Sequence, residues 1–154
     1  MISPELLRQY PFFGVLKDAR LKAIAMIAEE VSFEADEQLF KKGESADVLF
    51  FLLNGGVELY NFAEASSSEG DRGVLVGSVN PGEPFAISAV IEPHVFTSTA
   101  WTSSPSRAIK IEAASLRDLF GKDRRLAFLI TRQASRAAME RLHATRVQLA
   151  AALA

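Results

Sequence analysis

The segment from Pro81 to Thr102 combines turns and side chains that could bind an anion. Its prolines bracket a short apolar patch, Phe85 to Ile91, so one small helical turn is predicted between two strands. The start of such a turn offers backbone N–H groups, and the hydroxyl groups of Ser88, Thr97 and Ser98 lie nearby in the sequence. This arrangement suits a phosphate or another anion. The alternative is an ordinary corner between two strands.

Catalytic chemistry is poorly represented in the chain. The imidazole groups are those of His94 and His143, and neither has the spacing of a nucleophile–base pair or of a metal site. Glu92 beside His94 is a weak pair, and there is no cysteine. The sequence therefore predicts no enzyme, no catalytic residue, no metal and no obligatory cofactor, with a metal or haem site at His94 as the remote alternative.

The composition indicates one globular domain. Of the 154 residues 49% are hydrophobic, which is enough for one well-filled core. A net charge of −2 lacks the basic footprint of a nucleic-acid-binding protein. No apolar run could cross a bilayer, the N-terminus does not resemble a secretory signal, and the absence of cysteine permits a reducing compartment. We therefore expect a soluble cytoplasmic protein with no nucleic-acid or membrane partner.

The elements around the candidate pocket begin with short helices. Ser3 before Pro4 predicts a helix start, and Pro11 ends that helix. A compact apolar turn follows, in which Phe12, Phe13 and Leu16 are predicted core anchors. Asp18 is predicted to cap a second helix, whose apolar residues recur at helical spacing: Leu21, Ile24, Ala25 and Ala28.

From Val31 the pattern changes to short strands. Runs of β-branched, Leu and aromatic residues alternate with turn clusters, at Val31–Phe33, Gln38–Phe40, Val48–Leu53, Val57–Phe62, Gly73–Val79, Val95–Trp101 and Arg107–Ile111. Such strands predict an antiparallel sandwich or barrel.

Two turns in this region suggest more specific roles. Asn54-Gly55-Gly56 is predicted to close a hairpin between the strands on either side of it. The loop at residues 66–68 consists of three serines and could be a phosphorylation site, although a solvated hairpin tip is the simpler interpretation.

A long helix is predicted from Asp123 to Ala154, because this segment has no Gly or Pro and is rich in good helix formers. One stripe of residues, the seam, alternates steps of three and four as in a coiled coil: Phe128, Thr131, Ser135, Ala138, Leu142, Thr145, Leu149 and Ala152. A second stripe covers only the first half of the helix: Leu126, Ile130, Ala134 and Ala137. The first half can therefore lie on the sheet while the seam pairs with a second copy, parallel or antiparallel. The alternative is a helix folded back on its own domain.

The order of these elements resembles the cyclic nucleotide-binding domain of catabolite-activator and Fnr-type regulators, kinases and channels. The residues from Gly43 to Val57 are similar to the family pattern Gly-x-x-[Ala/Ser]-Asp-x-[Leu/Met]-[Phe/Tyr]-x-[Ile/Leu]-x-x-Gly, and Pro81–Phe85 resembles the Pro-Gly-[Glu/Asp]-x-Phe lead into the phosphate-binding cassette. The resemblance implies one mostly-β domain over residues 1–154. It comprises N-terminal helices (1–30), an antiparallel, jelly-roll-like β-roll (31–112) with the cassette at 82–99, and C-terminal helices (113–154).

The cassette departs from the family pattern. Relatives place a Glu that holds the ribose and an Arg that pairs with the cyclic phosphate where this chain has Ile87 and Phe96. The resemblance therefore implies weak or absent binding of cyclic AMP and cyclic GMP, and a less charged ligand or none. Candidate cassette residues are Phe85, Ala86, Ile87, Ser88, Ala89, Phe96, Thr97 and Ser98.

On the long helix, the resemblance implies a ligand or dimer contact at Thr145 and Leu142, and Arg132 or Arg136 could approach an anion from above. The predicted function is a non-enzymatic sensor module that is dimeric through this helix, in which a ligand shifts the helix angle. The alternatives are the sensing part of a catabolite-activator-like transcription regulator and a sensor for a different small molecule.

Overall fold

The structure, a computed structural model, describes residues 1–62 and 71–154, so the three-serine loop lies outside the described residues. Three short helices begin the chain: α1 (Pro4–Arg8), α2 (Pro11–Gly14) and α3 (Asp18–Ile27). Ser3 caps α1 as predicted, because its hydroxyl accepts a hydrogen bond from the Glu5 N–H at 3.2 Å. The predicted cap of α3 is wrong by one residue. Lys17 is the N-cap, and Asp18 lies in the first turn, where its charge still favours the positive helix end.

The described residues form eight strands: β1 (Ala28–Phe33), β2 (Gln38–Phe40), β3 (Val48–Asn54), β4 (Val57–Asn61), β5 (Val74–Val79), β6 (Pro84–Phe85), β7 (Thr99–Thr102) and β8 (Ser106–Glu112). They form two four-stranded sheets with the orders β1-β8-β3-β6 and β2-β7-β4-β5. The pairings between these eight strands are all antiparallel. The predicted β-roll with flanking helices is confirmed.

The turn at Asn54-Gly55-Gly56 does not close a hairpin, contrary to the sequence prediction. β3 pairs with β6 and β8, whereas β4 pairs with β5 and β7, so the turn carries the chain from one sheet to the other. Gly55 has a φ of 90°, and an added Cβ there would clash with the Oγ of Ser106. Glycine is therefore required both by the backbone conformation and by the close approach.

Four phenylalanine rings fill the space between the sheets behind the cassette. Phe40 stacks on Phe96 with 4.1 Å between ring centroids, and Phe50 stacks on Phe85 at 5.0 Å. Phe40 lies 6.4 Å from Phe85 and so joins the two pairs. All four side chains are buried, and this cluster fixes β2, β3 and β6 relative to the cassette.

The N-terminal helices close one side of this core. The predicted anchors Phe12, Phe13 and Leu16 are buried, as expected. Phe13 lies 5.0 Å from Phe51 of β3, measured between ring centroids, so α2 is joined to the sheet by aromatic packing.

Two helices end the chain, α4 (Ala113–Lys122) and α5 (Arg124–Leu153), which confirms the predicted long helix. Asp123 separates them and caps α5 by accepting a hydrogen bond from the Leu126 N–H at 3.1 Å. Arg20 of α3 forms an ion pair with Asp123 at 2.8 Å. Within the described residues, none of the helices combines the length and the hydropathy that a membrane span requires.

Candidate functional site

Hydrogen bonds join the turn at the start of the cassette to strand β3. The N–H of Gly82 donates to the Leu52 carbonyl at 2.8 Å, and the Leu52 N–H donates to the Glu83 carbonyl at 3.0 Å. The Glu83 carboxylate in turn accepts from the Asn80 N–H at 2.6 Å. These contacts fix the turn against β3, and thereby the position of β6 and of the cassette residues that follow it from Ala86.

Ala86 gives the cassette its bend. Its backbone is left-handed, with φ 59° and ψ 33°, and it precedes a 3-10 turn at Ile87–Ala89. Glycine adopts this conformation without strain, whereas alanine adopts it at a cost of about 1 kcal/mol. The bend is therefore made here by a residue that carries a Cβ atom.

Arg117 of α4 fastens the end of the 3-10 turn. Its Nη2 donates to the Ala89 carbonyl at 3.0 Å and to the Ala46 carbonyl at 3.1 Å. A side chain from the C-terminal helices thus joins the cassette to the loop between β2 and β3.

The second half of the cassette is less regular than the sequence predicts. A strand was expected over residues 95–101, but β7 begins only at Thr99, and Val95 makes an isolated bridge with Ser45. The Phe96 N–H donates to the Glu44 carbonyl at 3.0 Å, and the Gly43 N–H donates to the Phe96 carbonyl at 2.9 Å. Pairing with this loop, rather than with a sheet, explains why the strand starts late.

α5 covers the cassette. Arg141 donates from Nη2 to the Pro84 carbonyl at 2.8 Å. The Thr145 hydroxyl donates to the Arg141 carbonyl within the helix at 2.9 Å and to the Val76 carbonyl of β5 at 3.4 Å. Burial lowers the pKa of Arg141, and the nearby Glu83 carboxylate opposes that shift. The helix is therefore tethered to β5 and β6 by polar contacts above the cassette.

A pocket of about 280 Å³ lies between the cassette and α5. Its lining combines apolar side chains, hydroxyl groups and one guanidinium: Phe40, Leu59, Ala86, Ile87, Ser88, Phe96, Thr97, Ser98, Ala138, Arg141, Leu142 and Thr145. The volume is just below the roughly 300–1,000 Å³ typical of small-molecule sites. No carboxylate is among these described lining residues.

Most of the candidate binding residues meet at this pocket. The cassette contributes Ala86, Ile87, Ser88, Phe96, Thr97 and Ser98, and α5 contributes Leu142 and Thr145. Phe85 and Ala89, also in the cassette, do not line the pocket, because their side chains are fully buried in the hydrophobic core. Whether the lining residues bind a ligand stays a prediction.

The arginine that reaches the pocket is not one of the two expected. Neither Arg132 nor Arg136 lines it, and Arg136 instead lines a separate groove beside α2. Sequence reasoning also missed the pocket contacts of Phe40, Leu59 and Arg141. For Arg141 a signal existed, because it continues the buried stripe four residues after Ala137.

The architecture is that of a β-roll domain closed by a long helix. The family model of the cyclic nucleotide-binding domain matches residues 30–123. The chain belongs to the cyclic nucleotide-binding domain family, which is a regulatory, non-enzymatic kind of fold.

Solved structures agree with this assignment. A protein of Geobacter metallireducens GS-15 that carries the name cyclic nucleotide-binding protein is 39% identical, with a TM-score of 0.81 over 93% of this chain and 100% of its own. The N-terminal domain of a transcriptional regulator from Streptomyces coelicolor A3(2) is 21% identical, with a TM-score of 0.66 over 90% of this chain and 94% of its own. The sensor domain of the transcriptional regulator DNR from Pseudomonas aeruginosa is 19% identical, with a TM-score of 0.67 over 86% of this chain and 91% of its own. The last two likenesses concern the fold alone. No curated protein matches the chain significantly.

Proposed function

We propose that this chain is a non-enzymatic sensor module that binds a small molecule between the cassette and α5 and has weak or no affinity for cyclic AMP and cyclic GMP. The observation that carries the proposal is the lining of the pocket, which includes Ile87 and Phe96. The family resemblance aligns these two residues with the Glu and the Arg of the family pattern. Neither side chain can hold a ribose hydroxyl or a cyclic phosphate.

The expected loss of affinity for cyclic nucleotides follows from the missing contacts of the Glu and the Arg. A hydrogen bond to a charged group contributes roughly 1.5–3 kcal/mol, and each 1.4 kcal/mol changes affinity about tenfold. Loss of both charged anchors should therefore weaken a micromolar site by at least about two to three orders of magnitude. The hydroxyl groups of Thr97 and Ser98 can recover only part of this.

The same proposal makes the module a dimer through α5. Seam residues Phe128, Leu142 and Leu149 are 52%, 40% and 57% exposed in the single chain, and a second copy of the helix would cover them. The seam shares Ala138, Leu142 and Thr145 with the pocket. A ligand that moves α5 would therefore also change the dimer contact, which is how such a module would transmit its signal.

A second candidate function is the ligand-sensing part of a transcription regulator of the catabolite-activator type. The fold likeness to domains of transcriptional regulators from Streptomyces coelicolor and Pseudomonas aeruginosa favours it. On this hypothesis the pocket and α5 keep the roles given above, and a DNA-binding domain in the same polypeptide receives the signal. The length of the natural gene product is the observation that tests it.

Calorimetric titration with cyclic AMP and cyclic GMP tests the main proposal. The natural chain should bind both more weakly than micromolar, and micromolar binding of either would contradict the proposal. The double substitution Ile87→Glu with Phe96→Arg should increase binding.

A matched control, Ile87→Gln with Phe96→Met, has similar bulk without the charges and should not gain affinity. Near-ultraviolet circular dichroism checks that both variants retain the aromatic packing around Phe40, because Phe96 is only 4% exposed. If the graft is folded and gains no affinity, the assignment of Ile87 and Phe96 to the two anchor positions is wrong.

A further inference from the structure

Arg141 is the single charged side chain among the described residues that line the pocket. It comes from α5, on the opposite wall from the cassette, and its anchor at the Pro84 carbonyl places it near the β6 end. It therefore approaches the pocket from a different direction than a side chain at position 96 would.

The hydrogen-bonding capacity of Arg141 is largely unused. Within residues 1–62 and 71–154, its one protein acceptor is the Pro84 carbonyl, and it forms no ion pair. A guanidinium has five donors in a planar fork and stays ionised in proteins. Burial opposes its charge and lowers the pKa of Arg141, yet the neighbouring Glu83 carboxylate bonds to the backbone N–H of Asn80. A partly buried cation of this kind favours an anionic partner.

The remaining walls restrict what that anion can carry. Phe40, Leu59 and Ile87 present apolar surface, and the stacked ring of Phe96 continues it. Ile87 cannot accept a hydrogen bond from a sugar hydroxyl, so a ribose packed against it would depend on the weaker, uncharged hydroxyl groups of Ser88, Thr97 and Ser98. A compact apolar body without a sugar fits these walls and the volume of about 280 Å³.

The single guanidinium also limits the negative charge that a ligand in the pocket can carry. A phosphate monoester carries roughly −1.5 to −2 at neutral pH, which one arginine does not neutralise. A carboxylate carries one charge, and its two oxygens match the fork of the guanidinium.

We propose that the pocket binds a small monocarboxylate with an apolar body, whose carboxylate pairs with Arg141 while its apolar part lies against Phe40, Ile87 and Phe96. This rests on the proposed function of the pocket as the sensor site. It differs from cyclic nucleotide recognition in both the anchor and the chemistry of the ligand. Since the pairing joins α5 to the contents of the pocket, binding should also slow hydrogen exchange in the second half of α5.

Calorimetric titration with three acids of increasing size, isobutyrate, benzoate and 2-naphthoate, tests the proposal on the full chain. At least one acid should bind, and its neutral amide should bind at least about tenfold more weakly, because it loses a charge-assisted bidentate pair. Arg141→Gln should lower affinity for that acid by a similar factor, whereas Arg141→Lys should retain part of it. Arg136→Gln is the matched control on the same helix, outside the pocket, and should leave affinity unchanged.

The outcomes separate this proposal from the broader one. Equal affinity for the acid and its amide, or full affinity in a folded Arg141→Gln variant, would overturn carboxylate recognition. So would no binding of any of the three acids at millimolar concentration. Tighter binding of 2-naphthyl phosphate than of 2-naphthoate would overturn the choice of a monoanion. Each of these results leaves the proposed sensor function standing, whereas micromolar binding of cyclic AMP or cyclic GMP would contradict that function.

Discussion

The two halves of α5 are held in place by different forces. In the first half, Leu126, Ile130 and Ala134 are almost completely buried against the domain. In the second half the helix is mostly exposed, and it contacts the domain through the polar tethers of Arg141 and Thr145. Met139 and Leu149, in this half, are 64% and 57% exposed.

This difference has a functional consequence. Burial of apolar side chains stabilises the first half strongly, whereas a few exposed or partly buried hydrogen bonds contribute about 0.5–1.5 kcal/mol each. The second half can therefore shift at low cost while the first half stays fixed. The pocket is lined by residues of the second half, among them Arg141, Leu142 and Thr145, so the proposed ligand would contact the half of α5 that shifts more easily.

Shortening a buried side chain in the first half of α5 should have the largest effect on stability. Ile130→Ala removes a side chain that is 1% exposed, and we expect a loss of about 2–5 kcal/mol in the free energy of unfolding. Met139→Ala, in the exposed half, should change it by less than about 0.5 kcal/mol. Urea denaturation measures both variants. Similar losses in the two would mean that the halves are not held differently.

The exposed half should instead control self-association. Leu149→Glu places a charge on the seam and should weaken the dimer at least about tenfold, with little effect on the stability of the monomer. Ala150→Glu adds the same charge one residue away, off the seam, and serves as the control. Light scattering over a concentration series measures the dissociation constant. A dimer that tolerates Leu149→Glu would exclude the seam as its contact.

The smallest effect on stability is expected at Asp123, where α5 begins. The hydrogen bond from Arg20, followed by that from the Leu126 N–H, holds the pKa of Asp123 below its ordinary value of 3.8. This carboxylate therefore stabilises the fold above pH 3.8, and its contribution is lost as the pH falls through the lowered pKa of the folded state.

Asp123→Asn should accordingly lower the melting temperature slightly at neutral pH, and the difference from the natural chain should disappear in acid. Asp118→Asn is the control, because that carboxylate forms only an exposed ion pair with Lys122. If the difference in melting temperature persists at low pH, where the carboxylate is protonated, the ion pair between Arg20 and Asp123 is not its cause.

Much of the fold could be predicted from the sequence because local propensities agree with it. Uninterrupted helix formers predicted α5, and β-branched runs between turn residues predicted most strands. The hairpin at Asn54-Gly55-Gly56 was predicted wrongly, because a tight turn indicates a reversal of the chain but not which strands then pair. The late start of β7 was missed for a similar reason, since the loop at Gly43 and Glu44 takes the hydrogen bonds of Phe96.

The candidate site also contains residues that the sequence could predict and others that it could not. The cassette residues that line the pocket are close in sequence, so the motif that Pro81–Phe85 begins was enough to select them. Arg141 is distant in sequence, and its position depends on the rotation and length of α5 over the β-roll. Successive side chains of an α-helix are rotated by about 100° around its axis. A small difference in how the helix is rotated over the β-roll therefore decides whether Arg132, Arg136 or Arg141 faces inward.

The sequence by itself determined most element types, the family resemblance and the prediction that Ile87 and Phe96 replace two charged anchors, because these depend on neighbouring residues. Only the tertiary structure decided that Arg141 supplies a charge to the same pocket and that β3 and β4 belong to different sheets. Both depend on contacts between distant segments, and packing of the whole domain selects those contacts.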